Sequence, residues 1–515
     1  MKYLLRSAPL VFGLVLVWRV LLLIFTVQPI PSSDCFGYDG GVINYLHGGR
    51  YCNPSMSLDF PISGRDVYAT YPPVYQGVLF LWMKLFGAGL VSAMVLHLVL
   101  FAISGWIALA IIRQFFPASS GGGLVAWLFF GFTFVDRPES LGYVFGLGSF
   151  WLVARQLSEP AFRPGIALAL LLALWLGLYT SVIVGAYFFA VGFLACVVAC
   201  RWEWRQNWHW FAPFFGAAAL FGLVTICIIK LEPLWWAGFL ENARQQPAMS
   251  LGFHVPQFIA IVKLVRTTPV FLLALAVLPL LVVRWREVVS QPSAWLALCI
   301  GIFVTGWGLL AVSVTLLSPT YVFFAAFSQI LLAAGLLALV EQYSPGRGRW
   351  LRAGLLACAL LVSVRALGIS TWGAASAWKN SYQSTQTILR QELQPYVATD
   401  QPVLLSSAFL YGAADLGVKN PVNCDWYFDH AHWTNNAQTA ALERLCPPKL
   451  VLTQFDYYRS FKPLIGQLRQ HPERVDIHVH NFANLPVPDA IPSLERVVQH
   501  ISWAPVIVDL AWKQP

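Results

Sequence analysis

The sequence predicts a polytopic α-helical membrane protein with a C-terminal extracytoplasmic α/β domain, and three observations predict it. Hydrophobic residues make up 58% of the 515-residue chain and charged residues only 11%, more apolar and about half as charged as a soluble domain. Apolar runs of about 17 to 25 residues, the length that crosses a bilayer, recur across residues 1–373. From 374 onward they stop, and charges, prolines and alternating apolar stretches replace them. The net charge of +9 lies in short basic clusters between apolar runs, the pattern of cytoplasmic topology determinants rather than of a nucleic-acid-binding face.

The opening "MKYLLRSAPLVFGLVLVWRVLLLIFTVQ" has a basic start and no small-residue cleavage site, so it reads as an uncleaved first span, with Lys2 and Arg6 inside and Asp34 emerging outside. Further runs near 91–112, 121–136, 138–154, 165–181, 182–200, 209–230, 268–283, 292–315, 320–341 and 351–373 bring the expected total to about eleven. The loops with Arg113, Arg155 and Arg163, Arg201 and Arg205, Arg284 and Arg286, and "SPGRGRWLR" all fall inside on one alternating path. That path requires "YPPVYQGVLFLWMKLFG" (71–87) to lie at the interface without crossing, opened by Pro72 and Pro73 and anchored by Trp82 and Lys84. Outside then lie 31–90, 135–140, 231–267 and the whole of 374–515.

In that last domain "QPVLLSSAFLYGAADLG" and "PKLVLTQFDYYRSFKPLIGQLRQHPERVDIHVHNF" each begin with a short β-like run, and the second continues with a helical pattern and another strand. Five of the nine cysteines fall in spans, as small apolar residues do. The other four sit outside, where Cys35 with Cys52 and Cys424 with Cys446 are placed either for two local disulfides or to remain thiols. There is no internal repeat and no nucleotide-binding glycine fingerprint, which argues against ATP-driven transport.

The chemistry-bearing residues concentrate in the outer segments. Asp34 and Asp39 stand in "SSDCFGYDGGVINYLHGGRYCNPS", directly after the first span, and Asp136, Arg137 and Glu139 are wedged between two apolar runs, where ions are costly unless paired or functional. Arg137 either neutralises its acidic neighbours or grips a phosphate while the acids orient a hydroxyl; alternatively, Asp34, Asp136 and Glu139 hold a divalent cation, Mg or Mn. The loop 232–257 adds Trp235, Trp236 and His254, and "CDWYFDHAHW" (424–433) adds Asp425, Asp429, His430 and His432 as loop residues of a soluble cap.

The succession "DCFGYDGGVINYLHGGRY", "YPPVYQGVLFLWMKLFG" and "DRPESLGYVFGLGSFWL" resembles the GT-C superfamily of integral membrane glycosyltransferases, most closely the bacterial relatives of protein O-mannosyltransferases and the polyprenol-phosphate-sugar-dependent enzymes. On that resemblance Asp34 matches the family's acid after the first span, Tyr38 the tyrosine that follows, Gly49 and Tyr51 its "G-x-Y", and Tyr71 with Pro72 and Pro73 its "Y-x-P-P". "DRPE" matches its second acidic motif. Two departures stand out: Cys35 replaces the second acid of an Asp-Glu pair, so a two-carboxylate site must recruit Asp39 or the 136–139 cluster. Thr320 before Tyr321 replaces an arginine, leaving Lys263 and Arg266 as substitute phosphate contacts.

The resemblance implies hexosyl or pentosyl transfer from a polyprenyl-phosphate sugar to a lipid, glycan or protein, at the outer face of a bacterial inner membrane. Asp34 would serve as base, with Arg137, Lys263 or Arg266 on the lipid phosphate and Tyr38, Tyr71 and His254 against substrate. The expected partners are membrane lipid, donor and acceptor, and no nucleic acid. A secondary transporter or flippase would instead concentrate polar residues in broken helices at the bilayer midplane, where Arg19 is the main charge. A noncatalytic scaffold would tolerate loss of Asp34 and Asp136.

Overall fold

The computed structural model describes residues 2–31, 35–55, 72–115, 128, 137–159, 162–200, 207–234, 236–237, 294–315, 328, 330–332, 334, 345–424, 435–482 and 502–513. Helices dominate. In chain order they are α1 (Lys2–Thr26), α2 (Cys35–Leu46), α3 (Pro73–Phe86), α4 (Leu90–Phe115), α5 (Glu139–Ser158), α6 (Pro164–Thr180), α7 (Val182–Ala199), α8 (Ala212–Leu231), α9 (Ala294–Thr315) and α10 (Pro345–Lys379). Among the described residues five helices are long and apolar enough to cross a membrane, Pro9–Thr26, Leu90–Ile112, Val182–Ala199, Ala212–Leu231 and Ala353–Ala375. The chain is an integral membrane protein. The expected runs 268–283 and, in large part, 121–136 and 320–341 fall outside the described residues.

Helices α4 to α7 and α9 pack into one apolar core around Tyr143, Phe150, Tyr187 and Phe188. Lipid supplies little hydrophobic drive for helix association, so close backbone approach does much of the work. At Gly301 of α9 an added Cβ would lie 2.5 Å from the carbonyl oxygen of Val191 in α7, so only glycine fits that crossing. Buried hydroxyls find partners across helices: Tyr187 Oη lies 2.6 Å from Ser328 Oγ, and Tyr179 Oη donates to the Phe221 carbonyl at 2.9 Å. Arg19, expected as the main intramembrane charge, lies over the Phe101 ring of α4 at 5.0 Å, a cation–π contact.

The helix expected at 71–87 is α3. Pro73 occupies its first turn and Gly87, at φ 95°, ends it. At 14 residues it reaches about 21 Å, short of the ~30 Å hydrocarbon core. Tyr75, Leu79 and Met83, one turn apart, form its buried face.

After α10 come α11 (Tyr382–Leu393), β1 (Val403–Leu405), α12 (Ser407–Leu416), β2 (Pro421–Asn423), α13 (Asn435–Leu445), β3 (Lys449–Leu452), α14 (Lys462–Leu468), β4 (Val475–Asn481) and β5 (Val506–Trp512). The sheet order is β2-β1-β3-β5-β4, with β1 parallel to β2 and β3, and β5 antiparallel to β3 and β4. Strands β1 to β3 are buried throughout, as continuous apolar runs in a parallel sheet must be, while β4 alternates at the edge. The carboxyl ends of the parallel strands face the membrane helices. There Ser407 Oγ accepts from Phe36 N at 3.1 Å and Asn423 N donates to the Ser55 carbonyl at 2.9 Å. Trp503, fully buried, donates its indole N–H to the Thr26 carbonyl at the end of α1. One core cluster therefore runs from α2, α3 and α4 into the α/β unit.

Candidate functional site

The stretch that stood out in the sequence folds as α2 rather than as a plain loop. Its sequence, CFGYDGGVINYL, carries three glycines, each costing about 1 kcal/mol in a helix interior, so tertiary packing must hold it. All nine residues from Cys35 to Ile43 are buried. The Phe36 amide, one of the donors a helix start leaves unpaired, is capped by Ser407 of α12. Asn53 folds back over the helix and donates to the Phe36 and Gly37 carbonyls at 3.1 and 3.2 Å, while accepting from Ser55. Gly40 makes this approach possible, because an added Cβ would lie 2.5 Å from Asn53 Nδ2.

One face of α2 carries Cys35 and Asp39, one helical turn apart. Asp39 is 1% exposed. Its Oδ1 accepts from Tyr75 Oη at 2.9 Å and its Oδ2 from Tyr411 Oη at 2.7 Å. Cys35 Sγ lies 3.0 Å from the Tyr411 hydroxyl and 3.7 Å from Asp39 Oδ2. Behind Tyr75, His97 Nε2 of α4 lies 3.1 Å from the phenol oxygen, and His97 Nδ1 lies 2.9 Å from Ser140 Oγ. Because Tyr75 gives its only proton to Asp39, His97 donates from Nε2 to Tyr75 and accepts at Nδ1 from Ser140. Burial pushes the Tyr411 phenol well above its ordinary range, with Asp39 and then Cys35 adding to the rise. Two neutral phenols thus hold a buried carboxylate.

The adjacent residue, Tyr38, belongs to a second cluster. Arg137 Nη2 donates to Tyr38 Oη at 2.5 Å, and its guanidinium carbon lies 5.1 Å from the Tyr38 ring centroid. Arg137 Nε is 3.5 Å from Glu139 Oε2, with the arginine side chain 24% exposed and the glutamate fully buried. Glu139 opens α5, where a negative charge suits the helix dipole. The pair balances a buried acid with a cation whose side chain is partly exposed.

The structure thus brings together Tyr38, Arg137 and Glu139 as one group and Asp39 as the centre of another. Asp34, Tyr71, Asp136, His254, Lys263 and Arg266 lie outside the described residues, as do Trp235 and 425–434. Asp39, expected among the catalytic acids, is buried and accepts from Tyr75 and Tyr411. The expected Cys35–Cys52 and Cys424–Cys446 disulfides do not form, and all four are thiols. Cys35 turns to Asp39 and Tyr411. Cys424 is buried beside Ser406 at 3.9 Å, whereas Cys446 is exposed and donates to the Glu443 carbonyl at 2.7 Å. Glu139, expected as a metal ligand, faces Arg137. Sequence reasoning missed Tyr75, His97, Ser140 and Tyr411 as site residues and Cys35 as a side-chain contact of Asp39; all five lie in segments that the sequence marks, but as spans, an interfacial helix, an outer turn, a thiol or secondary structure, with nothing that joins them.

No protein-family model and no curated protein matches the chain. Among solved structures, ArnT from Cupriavidus metallidurans bound to undecaprenyl phosphate superposes with a TM-score of 0.51 at 14% identity, over 98% of this chain and 97% of that chain. The apo state of ArnT gives 0.48 at 14% identity, over 96% and 97%. The chain shares its fold with ArnT. The shared fold extends over nearly the whole length of the chain, the C-terminal α/β unit included.

Proposed function

We propose that the protein is a glycosyltransferase that moves a sugar from a polyprenyl-phosphate-linked donor to a lipid, glycan or protein hydroxyl at the outer face of a bacterial inner membrane. The observation that carries this reading is the fold shared along nearly the full length with a protein solved with undecaprenyl phosphate bound. The Arg137–Tyr38 edge supports it, since a half-open guanidinium beside a phenol suits a phosphate oxygen. Asp34, directly before α2, takes the proton of the acceptor hydroxyl, and the acceptor oxygen attacks the anomeric carbon. The anomeric carbon–oxygen bond to phosphate breaks, and polyprenyl phosphate leaves with the electron pair. Arg137, with Lys263 or Arg266, neutralises the charge that develops on it.

Tyr71 and His254 are assigned to the sugar. A Mg or Mn ion on Asp34, Asp136 and Glu139 fits poorly, because Glu139 Oε2 already faces the Arg137 guanidinium at 3.5 Å; no step is routed through it. The test is transfer by the purified protein in lipid, offered a panel of polyprenyl-phosphate sugars with lipid, glycan and protein acceptors, the products read by mass spectrometry. We expect one donor to turn over and Asp34→Asn to lower turnover at least 100-fold. A folded protein that turns over no donor would overturn the reading in favour of transport, which a flux assay would then measure.

A further inference from the structure

The Asp39 cluster holds a combination that the transfer scheme does not use: a sulfur, a carboxylate and an imidazole from two helices, converging in a solvent-free site. Cys35 Sγ, an Asp39 oxygen and a His97 ring nitrogen all lie within 4.8 Å of one another, and all three residues are buried. We propose that Cys35, Asp39 and His97 form a binding site for a thiophilic divalent cation of the zinc class, which ties α2 to the span α4 beneath the α/β unit.

Three features carry this. The first is spacing. Cys35 and Asp39 are four residues apart on one helix, so both project from the same face. Their ligand atoms are 3.7 Å apart; tetrahedral zinc, with Zn–S near 2.3 Å and Zn–O near 2.1 Å, sets two such ligands about 3.6 Å apart. The second is charge. A divalent cation with one thiolate, one carboxylate and one neutral imidazole sums to zero, which is the arrangement a dry site tolerates best. The third is orientation of the imidazole. Ser140 Oγ lies 2.9 Å from His97 Nδ1; when the ion binds, the imidazole proton moves from Nε2 to Nδ1, where the Ser140 hydroxyl accepts it, and Nε2 becomes a ligand, as with the outer-shell partner of a metal-bound histidine.

The mixed S, N, O set selects zinc-class ions over Mg or Mn, which prefer all-oxygen ligands. Tyr75 Oη lies between Asp39 Oδ1 and His97 Nε2, bonded to both, so the ion takes over those contacts by displacing the phenol hydroxyl. Binding replaces the Cys35 S–H bond by a sulfur–metal bond, and the proton passes to solvent. This inference does not depend on the proposed reaction, since its readout is the ion and not turnover.

The test uses the full-length protein in lipid nanodiscs, stripped with chelator and titrated with cobalt(II). A near-ultraviolet thiolate-to-cobalt band is expected to saturate at one equivalent, to vanish in Cys35→Ser and to persist in Cys446→Ser. Ser140→Ala is expected to weaken cobalt binding by about 10-fold or more. Zinc should raise the unfolding temperature of the parent and leave that of Cys35→Ser unchanged. A folded parent with no thiolate band, or a band that survives Cys35→Ser, overturns the site. Where Cys35→Ser fails to fold, Ser140→Ala decides: an unchanged cobalt affinity overturns the proposal.

Discussion

Tyr38 and Asp39 are consecutive residues of one short helix, yet they belong to two environments that differ in what they can do. On the Tyr38 side a guanidinium stands 24% exposed above a fully buried glutamate, so the charge within reach of solvent is positive. On the Asp39 side the carboxylate is 1% exposed and surrounded by phenols, a thiol and a histidine chain. A helix turns about 100° per residue, so neighbours in sequence face different partners. The difference teaches that one turn of helix can place a partly exposed cation on one side and a buried, hydrogen-bonded carboxylate that joins helices to the α/β unit on the other.

That contrast can be broken by substitution. The largest effect is expected at Arg137. Removing it alone would strand the buried Glu139 charge, so Arg137→Ala is paired with Glu139→Gln. The double variant should lose about 10²–10³ of turnover, roughly 3–4 kcal/mol of transition-state stabilisation, with its unfolding temperature close to that of Glu139→Gln; a large drop in stability instead would make Arg137 a holding group like Asp39. Tyr411→Phe should do the reverse. It removes one hydrogen bond to a charged acceptor, about 1.5–3 kcal/mol, and should speed limited proteolysis between α10 and the α/β unit, with turnover falling no more than docking does.

The same phenol sets a pH signature. Its folded-state pKa is raised above the unfolded value, so its contribution is complete below about pH 10 and is lost as pH rises toward the folded value. Docking should be flat from about pH 6 to 9 and weaken above about 10, less steeply in Tyr411→Phe. Burial also raises Tyr382 to about 12, so some weakening remains in that variant. Gly40→Ala comes next, at about 1–3 kcal/mol, because its methyl meets Asn53; the companion Asn53→Ala should relieve part of that cost. The smallest effect is expected at Lys449. It pairs with Glu392 and, at 2.9 Å, with Asp509 at the rim of the sheet. Lys449→Met should cost about 1 kcal/mol, since the lysine is nearly buried but its two carboxylates stay partly exposed to water.

Much of the fold was legible from periodicity alone. The spans at α1, α4, α7, α8 and α10 are apolar runs of bilayer length, a signal that needs no partner to be read, and "PVLL" and "PKLVL" announced β1 and β3 as buried strands. The short helix α3 was legible because Pro72 and Pro73 mark its start and the basic loops forbid a crossing. The helix at 35–46 was not, since three glycines in twelve residues read as a turn and only packing overrides that propensity. At the site, Arg137 with Glu139 was legible as ions in an apolar setting. The contacts of Asp39 were not. Tyr411 lies 372 positions away along the chain, in a helix whose own pattern says only that it is buried.

The sequence by itself determined the class of protein, the order of its spans, the strand-like starts of its last domain and the short segments where charge is too costly to be incidental. Each follows from local composition and spacing, because a bilayer and a strand impose periods that any stretch of chain must satisfy alone. Only the tertiary structure decided that Asp39 is buried between two phenols and Arg137 partly exposed, that four cysteines remain thiols, and that the α/β unit reaches the membrane helices through Tyr411, Ser407 and Trp503. Those outcomes depend on distances between residues far apart in the chain, and no local period encodes them.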